Sequence, residues 1–218
     1  MSRYDALIDD GLAQMGIVLD ETQRGQLNRY IAEVELFNPT YKLVGAKGRD
    51  LVIRHIFDSL AAVPTLQKLS AELGMCRLAD LGSGAGLPGI PLAIALPDCS
   101  VTLVERMQRR VNFLRSAVVI SSLTDQVRII DQDLSEVGEQ FGIVTFRALH
   151  PLVDILDAVA PLLSEGGWVC AYKGQRSQVE QELEAVEKTT KSQWRSELVA
   201  LEVPYLEAER MLCLLQKI

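Results

Sequence analysis

Asp80-Leu-Gly-Ser-Gly-Ala-Gly-Leu-Pro-Gly89 follows directly from the apolar run Arg77–Leu81 and leads into Ile90-Pro-Leu-Ala-Ile-Ala-Leu96. A strand that runs into Gly82, Gly84, Gly86 and Gly89 must turn sharply. Glycine allows that turn and lets a ligand come close to the backbone. The helix predicted next opens with free N–H groups. Pro88 and Pro91 suit a first turn, where a missing N–H matters least. A tight connection with no ligand would use the same residue types. The surrounding chain decides between the two.

Downstream, short β-prone runs alternate with helical stretches. Arg77–Leu81, Val101–Glu105, Val127–Asp131, Ile143–Phe146 and Trp168–Lys173 read as strands, with helices predicted over 89–96, 107–121, 150–163 and 175–190. Such alternation means βαβ units and a mostly parallel, doubly wound sheet. The end differs. Leu198–Val203 and Met211–Gln216 are two strands with only a short link, which suits an antiparallel hairpin. The fold class expected is therefore α/β and Rossmann-like: seven strands, mostly parallel, closing in an antiparallel hairpin.

Upstream, the pattern is helical. Residues 2–15 and about 20–37 carry apolar positions at three- and four-residue spacing, among them Leu27, Tyr30, Ile31 and Val34. Asp20 or Thr22 can cap the second helix. Pro39 is expected to end it, because proline disfavours helical geometry at the residue before it. A helix over 50–63 should end at Pro64, and another over 65–74 should close at Gly74. This gives an N-terminal helical cap (1–74) packed on an α/β domain (75–218).

Composition narrows the class. The chain has 218 residues, 48% hydrophobic and 23% charged, which suits a folded globular protein. No apolar run is long enough for a membrane span, and the start lacks a signal-peptide pattern, so a cytoplasmic location is expected. Cys76, Cys99, Cys170 and Cys213 are far apart with no CxxC pair, which argues against zinc and against disulfides. The net charge of −7, taken alone, disfavours nucleic acid. However, the acids concentrate in residues 1–40 and 178–209, while Arg106, Arg109, Arg110, Arg115, Arg128, Arg147, Lys173 and Arg176 occupy the middle. A local field can still favour phosphate.

Gly84-Ala-Gly-Leu-Pro-Gly89 matches the G-x-G-x-x-G fingerprint, with Glu105 about 20 residues on, so a nicotinamide-dinucleotide oxidoreductase is one reading. Three features favour S-adenosylmethionine instead. Asp80, two residues before the first glycine, can reach the cationic amino group of a bound amino acid but would repel a pyrophosphate. S-adenosylmethionine has no phosphate and no need of a helix dipole. The chain ends in a hairpin with no room for a separate substrate domain.

Ligands of open α/β sheets bind beyond the carboxyl ends of the strands. There Glu105 offers two acceptor oxygens to ribose hydroxyls, and Gln132 and Asp133 can face the adenine. Arg147 and Lys173 end the next two strands, and either could equally be a structural ion pair. The arginines of 106–115 read as a solvated helix face. His55 and His150 are single, so no catalytic base is expected of them.

The run from Asp80 to Ile94 resembles the cofactor motif of the glucose-inhibited division protein B family, bacterial methyltransferases of small-subunit ribosomal RNA that act on guanine N7. Asn38-Pro-Thr-Tyr-Lys-Leu-Val44, His55-Ile-Phe-Asp-Ser-Leu60, Arg109-Arg-Val-Asn-Phe-Leu114, Arg147-Ala148, Lys173-Gly174 and Glu209-Arg210 follow in the family's order. The sequence departs from the family at Phe37, where Trp is usual, near Leu43-Val44, and at Gln132-Asp133, where Ala-Glu is usual. The resemblance implies that Gly82, Leu87, Gln132, Asp133 and Arg147 line the cofactor site. With the residues above, the expected cofactor set is Asp80, Gly82, Gly84, Gly86, Leu87, Glu105, Gln132, Asp133 and Arg147. Arg147, Lys173 and Arg210 would face the guanine and its RNA. The implied partner is 16S ribosomal RNA within a ribosomal particle, with the protein expected to be a monomer and neither DNA, membrane nor metal involved. A non-catalytic ribosome-assembly factor on the same fold is a further alternative.

Overall fold

The computed structural model describes residues 3–218. The first helix, expected from residue 2, is described as α1 (Asp5–Gln14); residue 2 itself lies outside the described residues. Helix α2 (Glu21–Tyr41) follows. Three short pieces, α3 (Arg49–Leu51), a π-helical turn (Val52–Phe57) and α4 (Asp58–Leu60), then run on without a break. Helix α5 (Val63–Leu73) completes the N-terminal set.

Asp20 starts α2 through a reciprocal cap: its side chain accepts the Gln23 N–H, and the Gln23 side chain accepts the Asp20 N–H, both at 2.8 Å. Pro39 does not end this helix as the sequence predicts. It sits inside the last turn, where it removes only one hydrogen bond, and the helix ends at a left-handed cap three residues later, Lys42 (φ 50°). Pro64 likewise does not close a helix; it lies in the first turn of α5, where its fixed φ is pre-organised. Gly74 caps α5 at φ 69°, as expected.

The seven strands are β1 (Arg77–Leu81), β2 (Ser100–Val104), β3 (Val127–Ile130), β4 (Phe141–Arg147), β5 (Leu163–Lys173), β6 (Trp194–Ala200) and β7 (Met211–Lys217). They form one sheet in the order β3-β2-β1-β4-β5-β7-β6. The first five pair in parallel, while β7 runs antiparallel between β5 and β6. The crossovers carry α6 (Gly89–Ala95), α7 (Gln108–Ile120), α8 (Leu152–Val159) and α9 (Arg176–Thr189). The last hairpin is as read from sequence, but its first strand lies earlier than Leu198–Val203. Leu201 instead closes the hairpin loop, its N–H donating to the Arg210 carbonyl.

One apolar cluster joins α1, α2, the π turn, α5, α6 and α7 to one face of the sheet; a second joins α8 and α9 to the other. The cap helices share the sheet's own core. Cys170 and Cys213 are buried thiols on β5 and β7, where burial pushes both upward, Cys213 to about 12. Cys76 and Cys99 form a disulfide, against the sequence expectation. The cause is register: Arg77 pairs with Ser100 on neighbouring parallel strands, which brings the two preceding residues side by side. The bond lies at the amino ends of the strands, away from the glycine-rich turn.

Candidate functional site

The turn after β1 is fastened from three sides. The N–H groups of Gly82 and Ser83 donate to the Val104 carbonyl at the end of β2, at 2.9 and 3.1 Å. The Ser83 hydroxyl donates back to the Asp80 carbonyl at 2.8 Å. From α2, the fully buried Tyr30 hydroxyl donates to the Ala85 carbonyl at 2.7 Å. Gly82 has φ 64°, and a Cβ there would meet Leu149 at 2.5 Å, so the turn also packs closely against the loop after β4. The Leu87–Pro88 peptide is cis and leads into α6.

Asp80 lies beneath this turn and does not line the cavity above it, unlike the sequence expectation. Its Oδ2 accepts the Gly89 N–H at 3.0 Å, so the carboxyl serves the first residue of α6. Its Oδ1 has no hydrogen-bond partner among the described residues. Burial raises Asp80 to about 7, with the Gly89 N–H and the Arg147 charge opposing the rise. Gly86 is likewise outside the cavity; a Cβ there would meet Ile90 at 2.5 Å, so this glycine serves packing.

The cavity over the turn measures about 560 Å³. That is within the range of small-molecule sites. Gly82, Gly84, Leu87, Glu105, Gln132, Asp133 and Arg147 all line it, so most of the expected cofactor set is brought together. Glu105 is buried, its Oε2 accepting the Gly84 N–H at 3.0 Å and its Oε1 the Met107 N–H at 2.9 Å. Each oxygen retains a lone pair for a ligand hydroxyl. Asp133 caps the turn Leu134–Glu136 and receives Arg106 at 3.1 Å. Hydrogen bonds from Ser135, and then the Arg106 charge, hold it below the usual carboxylate range. The arginines of 106–115 are not simply a solvated helix face, because Arg106, just before α7, and Arg110 on it also line the cavity.

A cationic group stands where β4, β5 and β7 meet. Arg147 Nη1 donates to Asp58 Oδ2 at 2.9 Å, and Arg210 Nε to Asp58 Oδ1 at 3.0 Å. Lys173 pairs with Glu182 at 2.6 Å, and the same Glu182 oxygen accepts the Leu152 N–H. Arg147 and Lys173 are thus both ion-paired, and both stand at the carboxyl edge of the sheet. Lys173 and Arg210 do not line the cavity; they lie beside it, since Lys173 pairs with Met211 across β5 and β7.

Sequence reasoning gave His55 and Asp58 no role. His55 lines the cavity and its Nδ1 has no partner among the described residues. Burial lowers it to about 4, helped by the charges of Arg147, Arg54 and Arg210, so it is neutral near pH 7. The three-residue spacing of His55 and Asp58 was visible, but only the π turn and the tertiary partners show that both face this edge.

The arrangement fits S-adenosylmethionine. The buried Glu105 carboxylate offers two acceptor oxygens suited to a ribose diol, apolar Leu87, Met107 and Leu134 line the same cavity, and the His55 Nδ1 there has no partner among the described residues.

Residues 23–212 match the family model described as rRNA small subunit methyltransferase G. A protein of that name from a Psychrobacter species is 33% identical, over 98% of this chain and 92% of its own length. Another from Cupriavidus necator is 35% identical, over 96% and 93%. In fold, the chain is similar to magnesium protoporphyrin IX methyltransferase from Synechocystis, solved with bound S-adenosylmethionine. That match has a TM-score of 0.54 and 13% identity, over 86% of this chain and 97% of the other.

Proposed function

The chain belongs to the rRNA small subunit methyltransferase G family, and from that membership we propose that it methylates N7 of a guanine in 16S ribosomal RNA. It is an S-adenosylmethionine-dependent methyltransferase; the dinucleotide and non-catalytic readings fall away. The observation that carries the finer reading is the pairing of two features at one sheet edge. Arg147 lines the cavity with Glu105 and the glycine-rich turn and shares Asp58 with Arg210, whose neighbour Met211 pairs with Lys173 across β5 and β7.

Gly82, Gly84, Leu87, Glu105, Gln132, Asp133 and Arg147 would hold the cofactor. When bound, S-adenosylmethionine supplies a methyl group on a positively charged sulfur. Guanine N7 has an in-plane lone pair and no proton to lose, so its in-line attack needs no general base. That agrees with His55, a cavity-lining histidine that burial and the nearby arginines hold down at about 4, which makes it a poor base. Catalysis is then mainly alignment, which supplies roughly 7–11 kcal/mol in favourable cases. Arg147, Lys173 and Arg210, all fixed-charge or strongly basic donors, would hold guanine O6 or RNA phosphate. Asp80 supports the turn from below.

Acidic surface at residues 1–40 and 178–209 disfavours naked RNA, so an assembled ribosomal particle is the proposed substrate, met by a monomer in the cytoplasm. No helix among the described residues is long and apolar enough to cross a membrane. Mass mapping of small-subunit RNA after incubation of particles, or of free RNA, with enzyme and labelled cofactor tests the reading. One additional methyl on a single guanine is expected, together with the strand cleavage by reduction and aniline that an N7-methylated guanine undergoes. A methyl elsewhere would overturn the assignment of N7. Lys173→Ala is expected to keep cofactor affinity within about twofold and to lose most RNA methylation, roughly tenfold or more if one charge-assisted contact is removed.

A further inference from the structure

Asp58 is a buried carboxylate, with 4% of its side chain exposed, and it receives two arginines. Arg147 reaches it from the end of β4 and Arg210 from the loop before β7. Each oxygen takes one guanidinium, so the two cations are fixed with respect to each other through a single group. Arg147 lines the cofactor cavity, whereas Arg210 is outside it. Arg210 also donates Nη1 to the Glu209 carbonyl at 2.9 Å. Each guanidinium has five donor hydrogens, so both keep donors beyond those used on Asp58.

The support under Asp58 is rigid. The π-helical turn Val52–Phe57 precedes it directly, and such turns often re-aim side chains at functional sites. The Ser59 hydroxyl donates to the His55 carbonyl at 2.6 Å. The buried Tyr172 hydroxyl donates to the Ser59 carbonyl at 2.8 Å, which fastens this segment to β5. A buried ion pair is weak evidence of stabilisation, because an apolar replacement often serves the fold as well. Its value here is in orientation: it holds two partly exposed guanidiniums at the junction of the cavity and the outer edge.

We propose that Asp58 is a positioning residue for methyl transfer, which locks Arg147 and Arg210 into one unit spanning the cofactor side and the RNA side. The RNA half of this assignment rests on the function proposed above; the cofactor half rests on the cavity alone. Asp58→Asn keeps the shape and one acceptor oxygen while removing the charge. It is expected to lower kcat/KM for small-subunit RNA about tenfold or more, chiefly through KM, and to weaken S-adenosylmethionine binding severalfold, with the thermal midpoint little changed.

The decisive measurement is a pair of double-mutant cycles. On an Arg210→Ala background, Asp58→Asn should have little further effect on RNA KM. On an Arg147→Ala background, it should have little further effect on cofactor Kd, read by isothermal titration. Equal losses on every background, or parameters within twofold of wild type, would overturn the proposal. So would a variant whose only change is a lower melting temperature with kinetics intact below it. If the wild-type protein methylates no small-subunit RNA, the function proposed above fails, and the cofactor cycle still decides the role of Asp58.

Discussion

Gly84 has φ 58°, and nothing lies nearer a would-be Cβ than the Gly82 carbonyl at 3.7 Å. An aspartate there would cost about 1–2 kcal/mol of backbone energy, less in this residue type, which tolerates the left-handed region. Against a typical net stability of about 5–15 kcal/mol, the fold should survive. Its carboxylate, however, would stand beside Glu105, which accepts the Gly84 N–H, and would set a like charge against the group proposed to hold the ribose diol. Gly84→Asp is therefore expected to leave a cooperative unfolding transition and to weaken S-adenosylmethionine binding about tenfold or more by isothermal titration, each tenfold being roughly 1.4 kcal/mol. Unchanged affinity would remove the turn from the cofactor site. Two other residues at this edge titrate in opposite senses. His55 is lowered to about 4 from an ordinary 6.5, so its stabilising contribution is present above pH 6.5 and is lost as pH falls toward 4. Asp80 is raised to about 7 from 3.8, so its contribution is present below pH 4 and is lost as pH rises through 7. Between pH 4.5 and 6.5 the two slopes oppose each other, each at most about 1.4 kcal/mol per pH unit. In urea unfolding over that window, His55→Asn should make stability, relative to wild type, fall as pH rises. Asp80→Asn should make it fall as pH drops. Identical slopes in all three proteins would mean neither group is perturbed.

Helix α2 acts on the site through one hydroxyl. Tyr30 is fully buried and its OH satisfies the Ala85 carbonyl inside the glycine-rich turn. Tyr30→Phe leaves that carbonyl unpaired in a buried place, at a cost of about 1–3 kcal/mol. Expected are a lower unfolding midpoint in urea and a severalfold weaker cofactor affinity; a loss of stability with affinity unchanged would confine Tyr30 to packing. Elements of this kind were readable unevenly from the sequence. The alternation from Arg77 to Lys173 and the closing hairpin predicted the sheet, because their period and link lengths are local properties. Strand ends likewise predicted Glu105, Gln132, Asp133 and Arg147 in one cavity. Asp80 and Gly86 were expected beside the ligand and lie outside the cavity lining, because spacing shows a residue at a turn but not which side of it the residue faces. Pro39 misled for a related reason: proline's effect depends on how near the helix end it falls, which later residues decide. The Cys76–Cys99 bond needed the parallel register of β1 and β2, and the Asp58 clamp needed contacts between residues 89 and 152 positions apart.

At the scale of the molecule, the cap and the sheet share one core. Leu27, Tyr30, Val34, Val52, Ile56, Phe57, Leu60 and Leu66 are each fully buried, in the same cluster as Leu78, Ile143 and Leu212 of the sheet. Burying one such side chain is worth about 1.5–3 kcal/mol. Eight of them together, about 12–24 kcal/mol, are therefore comparable to or larger than the typical net stability of about 5–15 kcal/mol of a whole protein. The division at residue 74 is then one of secondary structure, and we propose that it is not one of folding. Removing residues 1–74 would also strip Tyr30 from the turn and Asp58 from Arg147 and Arg210. The full chain is expected to unfold in one transition, with far-ultraviolet circular dichroism and tryptophan fluorescence coinciding. Trp168 and Trp194 on β5 and β6 report the sheet, while the helical signal includes the cap. A fragment of residues 75–218 is expected to lack a cooperative transition and to expose apolar surface to a hydrophobic dye. Should that fragment melt cooperatively near the midpoint of the full chain, the cap would be an independent domain, and the shared core would be an interface between two folded units.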